Sequence, residues 1–192
     1  MIIVFTGNGK GKTTAALGQV VRVLGRGKRA LMIQFIKGPW KSGEDTFAKK
    51  LQTAKTKTKA IEGGEEIIEN FPQLYDFEIR KMGLGFVGIL GDSLPLEDHK
   101  TAARNALKMF REELDNFDFI VLDELNVALS LNLVEVSEVL EALKDVTDEK
   151  FVLLTGRGAP QEIIDRADLA TEMREIKHPF NDGRLAKIAV EF

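Results

Sequence analysis

The chain has 192 residues, 44% of them hydrophobic, enough to bury the core of one domain of roughly 100–200 residues. Its 27 basic and 30 acidic residues leave a formal charge of −3, which argues against a general nucleic-acid coat, and the absence of cysteine excludes disulfides, thiolate metal sites and cysteine nucleophiles. The N-terminal apolar run is only Met1–Phe5 and no stretch approaches the ~20 apolar residues of a membrane span, so a soluble cytoplasmic protein is expected.

Short β-branched runs alternate with helical patterns, the mark of an α/β domain whose mostly parallel sheet is flanked by helices on both faces. A single domain over 1–192 is expected, since no repeat or linker divides it. Ile2–Thr6 is a continuous apolar strand, and Lys12–Leu24 reads as a helix with Ala16, Val20, Val21, Val23 and Leu24 supplying a broad apolar face. Gly25-Arg26-Gly27 ends it, and Arg29–Phe35 is the next strand. A loop from Lys37 leads into a short helix. The lysine- and threonine-rich stretch Lys49–Gly64 follows, its lysines up to Lys59 expected on a solvated face and Ala54–Gly64 expected to be exposed and mobile.

Tyr75–Arg80 alternates as a strand and Gly83–Gly91 is glycine-laced loop. Asp98–Leu114 is a long amphipathic helix, with Asp98 as its N-cap and His99 facing solvent. Phe119–Leu122 is a buried strand ending in Asp123-Glu124. Val134–Leu143 is helical, Phe151–Leu154 a strand, and Pro160–Ala167 a helix with proline in its first turn. Leu169–Met173 and Ile188–Phe192 are expected as short final strands.

Thr6–Thr14, TGNGKGKTT, lies between a strand and a helix, as a phosphate-binding loop requires. Glycines let backbone N–H groups converge on phosphate oxygens, and the helix N-terminus adds partial positive charge. Lys12 brings a full charge to the phosphates and the Thr13 hydroxyl suits Mg²⁺. The loop is short by one residue: the common pattern G-x-x-x-x-G-K-[ST] puts Thr6 where the first glycine belongs. Asp123 and Glu124 arrive at the C-terminal end of a buried strand, in the crevice where open α/β sheets bind ligands, and one of them would hold the metal. Arg157, in LTGRG just past another strand, faces the same crevice and can neutralise phosphate charge. With only His99 and His178 and no cysteine, no nucleophile–base pair is apparent.

In order along the chain, TGNGKGKTTAALG (Thr6–Gly18), QFIKGPWKSGE (Gln34–Glu44), VLDELNVAL (Val121–Leu129), TGRGAPQEIIDRADLATEM (Thr155–Met173) and KHPFNDG (Lys177–Gly183) resemble the ATP:corrinoid adenosyltransferases of the RecA-like P-loop type. The resemblance implies transfer of the 5′-deoxyadenosyl group of ATP to the Co(I) of a corrinoid, with release of tripolyphosphate. It also implies that the short loop holds ATP in the reverse sense, so that the ribose 5′-carbon meets the second substrate. On this basis Gly7, Asn8, Gly9, Lys10, Gly11, Lys12, Thr13 and Thr14 would wrap the triphosphate, and Arg22 and Arg157 would add charge. Thr13 with Asp123 or Glu124 would hold Mg²⁺, and Glu124 would also reach the ribose. Lys12, Glu124 and Phe86 would be the catalytic side chains. A homodimer and a reduced flavoprotein as electron donor are further implications, and no nucleic-acid or membrane partner is expected.

One departure stands out. Where the family usually has Gly-Phe-Thr-Trp in its corrinoid loop, the aromatic pair helping to displace the lower ligand of cobalt, this chain has Gly85-Phe86-Val87-Gly88. Phe86 alone, Ile89 or Leu90 in the missing ring's place, or a corrinoid with a weakly bound lower ligand would each reconcile it. Lys187 and Ala189 also replace a usual glutamine and glycine. Two other readings of the motifs remain: an ordinary phosphotransferase or nucleic-acid-stimulated ATPase releasing ADP, and a binding module without turnover.

Overall fold

A strand that is apolar at every position needs cover on both faces, because successive side chains point to opposite sides. In a computed structural model describing residues 1–53, 76–89, 91–187 and 190, the apolar runs receive that cover. Strands β1 (Ile2–Thr6), β2 (Ala30–Gln34), β3 (Phe77–Lys81), β4 (Phe119–Asp123), β5 (Phe151–Thr155) and β6 (Leu169–Glu172) form one sheet in the order β3-β2-β4-β5-β1-β6. Every neighbouring pair is parallel. Val4, Ile33, Leu122 and Leu154 point into one core, and Ile3, Met32, Val121 and Leu153 into the other.

Helices α1 (Lys12–Leu24) and α2 (Gly43–Thr53) cover the second core. The first is covered by α3 (Leu96–Glu113), α4 (Leu125–Ser130), α5 (Val136–Leu143) and α6 (Gln161–Arg166). Spacing explains α1: Ala16, Val20 and Leu24 recur every fourth residue and are buried together, with Val23 packed at their margin, whereas Val21, one residue round the helix from Val20, is turned out to solvent.

Two features of this sheet position the site. All strands run the same way, so their C-terminal ends share one edge. Also, β5 lies between β4 and β1, so the phosphate loop after β1 and the acidic pair after β4 are separated by one strand and face each other across its end. Along this edge stand, in order, the loop after β3 carrying Phe86, the loop after β2, Asp123-Glu124, Thr155–Arg157 and the phosphate loop.

Several boundaries differ from the sequence pattern. The third long helix begins at Leu96 with Pro95 as N-cap, so Asp98 lies inside the first turn and is not the cap. Proline presets the entry geometry, and Glu97 and Asp98 then sit beside the positive end of the helix dipole. His99 does not face solvent. The loop after β3 folds back over the helix start, burying the ring with its Nε2 3.1 Å from Asp92 Oδ2. The segment read as a helix from Val134 starts at Val136, where Glu135 and Glu138 form a capping box. A short helix, Leu125–Ser130, precedes it without a pattern of its own in the sequence. The stretch Ala54–Gly64, Leu90 and the expected strand Ile188–Phe192, apart from Val190 in a turn, lie outside the described residues.

The loops after β2 and β3 are tied backbone to backbone. Met82 and Gly83 N–H both donate to the Gln34 carbonyl at 3.0 Å, and Gly85 N–H donates to Ile36 at 3.0 Å. A Cβ on Gly83 would lie 2.3 Å from the Ile36 carbonyl carbon and 2.5 Å from its oxygen. Backbone cannot swing aside as a side-chain tip can. Gly83→Ala is therefore expected to cost about 1–3 kcal/mol, lowering Tm by about 2–4 °C per kcal/mol in a thermal melt.

Candidate active site

The phosphate loop is shaped by contact with β6 as much as by its own glycines. Met173 N–H donates to the Thr6 carbonyl at 2.8 Å, and Gly9 N–H donates to the Met173 carbonyl at 2.6 Å. A Cβ at Gly7 would meet the Met173 oxygen at 2.5 Å, and one at Gly9 would meet the Arg174 carbonyl carbon at 2.7 Å. Neither position has room for a side chain. Gly11 then caps α1 in a left-handed conformation, φ 114°, open to glycine without penalty, and leaves the first N–H groups of the helix facing the loop.

Lys12 is buried and curls over the loop, donating to the Gly7 and Gly9 carbonyls at 2.7 Å each. An ammonium has three donors, so one remains for an anion. Burial pulls Lys12 below its ordinary pKa, with Arg157 adding to that and Glu124 opposing it. Asn8, Lys10 and Thr14 are exposed at the loop surface and its helix start.

Asp123 is fully buried and forms the hub. Its Oδ1 accepts the Thr13 hydroxyl at 2.8 Å and the Thr155 hydroxyl at 2.9 Å, while Oδ2 accepts Gln34 Nε2 at 3.1 Å. Lys37 Nζ lies 3.7 Å from Oδ2 and 2.5 Å from Glu44 Oε1. The Thr155 oxygen also accepts the Glu124 N–H at 3.0 Å, joining the ends of β4 and β5. Glu124 itself has φ 61° and ψ 21°, an uncommon conformation for a non-glycine residue, and it breaks the chain out of β4 into α4. Burial and the Asp123 carboxylate push its pKa up, against the pull of Lys12, Lys37 and Arg157.

Thr13 and Asp123 offer only oxygen donors, and no group of three or more His, Asp or Glu gathers among the described residues. A hard divalent cation such as Mg²⁺ keeps several waters and takes one or two carboxylates together with substrate phosphates, so this donor pair suits it. Of the two acids, it is Asp123 that accepts the Thr13 hydroxyl.

Arg157 is exposed at the end of β5, close enough to act electrostatically on both Lys12 and Glu124. Arg22 is placed differently. It sits exposed in the last turn of α1, ten residues and about 15 Å of helix rise from Lys12. The structure does not bring it to the phosphate loop of its own chain. Phe86 is half exposed at the far end of the shared edge, four strands from the loop or about 19 Å across the sheet.

This combination of loop, acidic pair and aromatic edge has a counterpart in known proteins. The family model "ATP:corrinoid adenosyltransferase BtuR/CobO/CobP" matches residues 1–192. The chain belongs to that family. A corrinoid adenosyltransferase of Escherichia coli K12 is 32% identical over 194 residues, spanning 100% of this chain and 85% of the relative. The corrinoid adenosyltransferase CobA of Salmonella typhimurium is 33% identical, with 100% and 85% covered, and one from a Sinorhizobium species 35% identical, with 100% and 80% covered. As a member of the ATP:corrinoid adenosyltransferase family, the chain has its place in adenosylcobalamin synthesis.

Sequence reasoning assigned no role to Lys37, Glu44 or Gln34, nor to Thr155. Each had a signal: a glutamine closing a buried strand, a lysine three residues beyond it, and a threonine at the end of an apolar strand. None shows from sequence alone that it converges on Asp123. Burial alone would lower Lys37, but Asp123, Glu44 and Glu124 outweigh it and hold its pKa up. Glu44 is pushed up by burial, yet the hydrogen bonds from Lys37 and the backbone prevail and its pKa is depressed. A carboxyl depressed on folding stabilises the fold above its ordinary 4.5 and loses that contribution as pH falls through the lower folded value. Lys37→Met removes the partner. The loss of Tm between about pH 6 and about pH 3.5 is expected to be smaller in the variant than in the unaltered protein, as read by thermal melts at both values.

Proposed function

We propose that the chain transfers the 5′-deoxyadenosyl group of ATP to Co(I) of a corrinoid, with the triphosphate on the Gly7–Thr14 loop and the 5′-carbon directed along the strand ends toward Phe86. The observation that carries this reading is the order of residues on that edge: phosphate loop, Arg157, acidic pair, Lys37, then the aromatic loop. An ordinary phosphotransferase needs its second substrate at the terminal phosphorus. Here the half-exposed Phe86 lies four strands along the shared edge from the phosphate loop.

Co(I) attacks C5′ with its own electron pair, forming the Co–C bond. The C5′–O bond breaks, and its pair leaves with tripolyphosphate. The cobalt is oxidised by two electrons in the formal count. No proton moves from the nucleophile, so no general base is required, which suits a site without one. Lys12, the first N–H groups of α1 and Arg157 stabilise charge on the departing tripolyphosphate. Thr13 and Asp123 would hold Mg²⁺, whose chemistry is to neutralise phosphate charge. Glu124, its backbone N–H held by the Thr155 hydroxyl, would accept hydrogen bonds from the ribose. Phe86 presents an apolar ring to the lower face of the corrinoid, disfavouring a polar lower ligand there and easing reduction of Co(II).

We also read the protein as cytoplasmic, working as a homodimer and receiving single electrons from a reduced flavoprotein. Among the described residues no helix is long and apolar enough to cross a membrane. The edge strand β6 is exposed throughout, and Ile176, Phe180 and Leu185 beyond it are exposed too, an apolar stretch consistent with pairing.

The deciding experiment is anaerobic incubation with Mg·ATP and chemically reduced cob(I)alamin. A light-sensitive adenosylcobalamin spectrum with stoichiometric tripolyphosphate is expected, whereas ADP and phosphate without a Co–C bond would assign an ordinary ATPase. For Phe86, replacement by alanine is expected to lower the rate started from Co(II) much further than the rate started from Co(I). Equal losses would remove its role at the lower face.

A further inference from the structure

The chain has a single tryptophan, Trp40, and it is 62% exposed. A lone exposed ring needs no explanation, but this one has exposed apolar company in Leu84, Phe86 and Ile89 of the loop after β3. It stands beside the other half-exposed ring of this edge: the centroids of Trp40 and Phe86 are 6.0 Å apart with 33° between planes, within the range of attractive aromatic pairs.

The indole is held firmly for an exposed group. A Cβ on Gly38 would lie 2.8 Å from Trp40 Cζ3, and one on Gly85 would lie 2.9 Å from Cη2. The ring therefore lies across the bare backbone of two glycines, one from each of the tied loops. Its own backbone is pinned as well. The Trp40 carbonyl accepts Lys81 Nζ, which also pairs with Asp45 Oδ2 at 2.6 Å, and Asp45 Oδ2 accepts the Ser42 N–H at 2.7 Å.

On the far side of Phe86, Gly88 occupies the position where a second aromatic is usual, and its φ of 69° favours glycine. Gly88 N–H donates to Asp92 Oδ2 at 2.8 Å, closing the turn, and no atom lies within 4 Å of a Cβ built there. A ring at that position would point into open space from a strained backbone. Trp40 reaches Phe86 with its geometry already fixed.

We propose that Trp40 is a positioning residue for Phe86, holding its ring toward the lower face of the corrinoid and supplying the aromatic neighbour that Gly88 does not. This rests on the adenosyltransferase reading and on the role given there to Phe86. It accounts for three otherwise unrelated facts: an exposed tryptophan, two glycines with no room for side chains beneath it, and a glycine in place of a ring three residues beyond the second of them.

The test is the ratio of the rate started from Co(II) to that started from chemically reduced Co(I), both with Mg·ATP and cobalamin. Loss of an aromatic pair corresponds to about threefold to tenfold, so Trp40→Ala is expected to lower this ratio by that factor, and Trp40→Phe to restore most of it. The absorption spectrum of bound cob(II)alamin is expected to show less of the form lacking its lower ligand in Trp40→Ala. Because Trp40 is the only indole, its fluorescence should be quenched as cobalamin binds the unaltered protein in the presence of Mg·ATP. Equal loss in both assays, no loss, or an indole blind to cobalamin would overturn the assignment of Trp40 alone. Failure of the unaltered protein to make adenosylcobalamin from Co(I) would remove the underlying reading and this one with it.

Discussion

The site depends on one carboxylate taken wholly out of water. A buried charge is costly unless every lone pair finds a donor, and Asp123 meets that condition by drawing on four separate pieces of chain: Thr13 from the start of α1, Thr155 from β5, Gln34 from the end of β2 and Lys37 from the loop beyond it. The requirement works in both directions. Asp123 is tolerable because those elements arrive together, and they are held together because it is there. The helix behind the phosphate loop, the one strand that parts that loop from the acidic pair, and the lysine that faces Glu44 are thus tied to a single residue at a strand end.

Around this hub the sheet separates two kinds of chemistry. At the β1 end the surroundings are polar and cationic, suited to a triphosphate. At the β3 end they are aromatic and apolar, suited to a flat macrocycle. Asp123, Glu124 and Lys37 lie between the two. An enzyme whose nucleophile is brought by its substrate needs such an arrangement more than it needs a base, because its work is to align two large partners and to receive a highly charged leaving group.

Much of this was legible in the residues. Continuous apolar runs announced doubly covered strands, and the α1 boundaries coincide with Lys12–Leu24 because glycines stand at both ends. The loop and the acidic pair were visible because their chemistry demands residue types at fixed spacing. What stayed hidden was whatever depends on non-local approach. His99 reads as solvent-facing because it stands at a helix start, yet it shares the buried stripe of Ala103, Ala106 and Phe110 and pairs with Asp92 from the loop folded over that start. Arg22 shares a helix with Lys12, yet helical rise carries it out of reach. Thr155 reads as one more β-branched strand residue until the order β4-β5-β1 places it beside Asp123. Gly7 and Gly9 were legible as glycines of a short loop between strand and helix, but the sequence could not show that the backbone of Met173 and Arg174 crowds them.

That crowding bears on how portable the loop is. Its shape is partly moulded by the end of a strand more than 150 residues away in the chain, at the register that pairs Thr6 with Glu172. TGNGKGKTT is therefore not a self-contained cassette. Grafted onto another parallel sheet whose last strand ends elsewhere, it would keep its glycines and lose the surface they were fitted to. Conversely, a common full-length loop inserted here would press its extra residue against that strand. Loop length and strand ending form one heritable unit in this protein, and neither is free to change without the other.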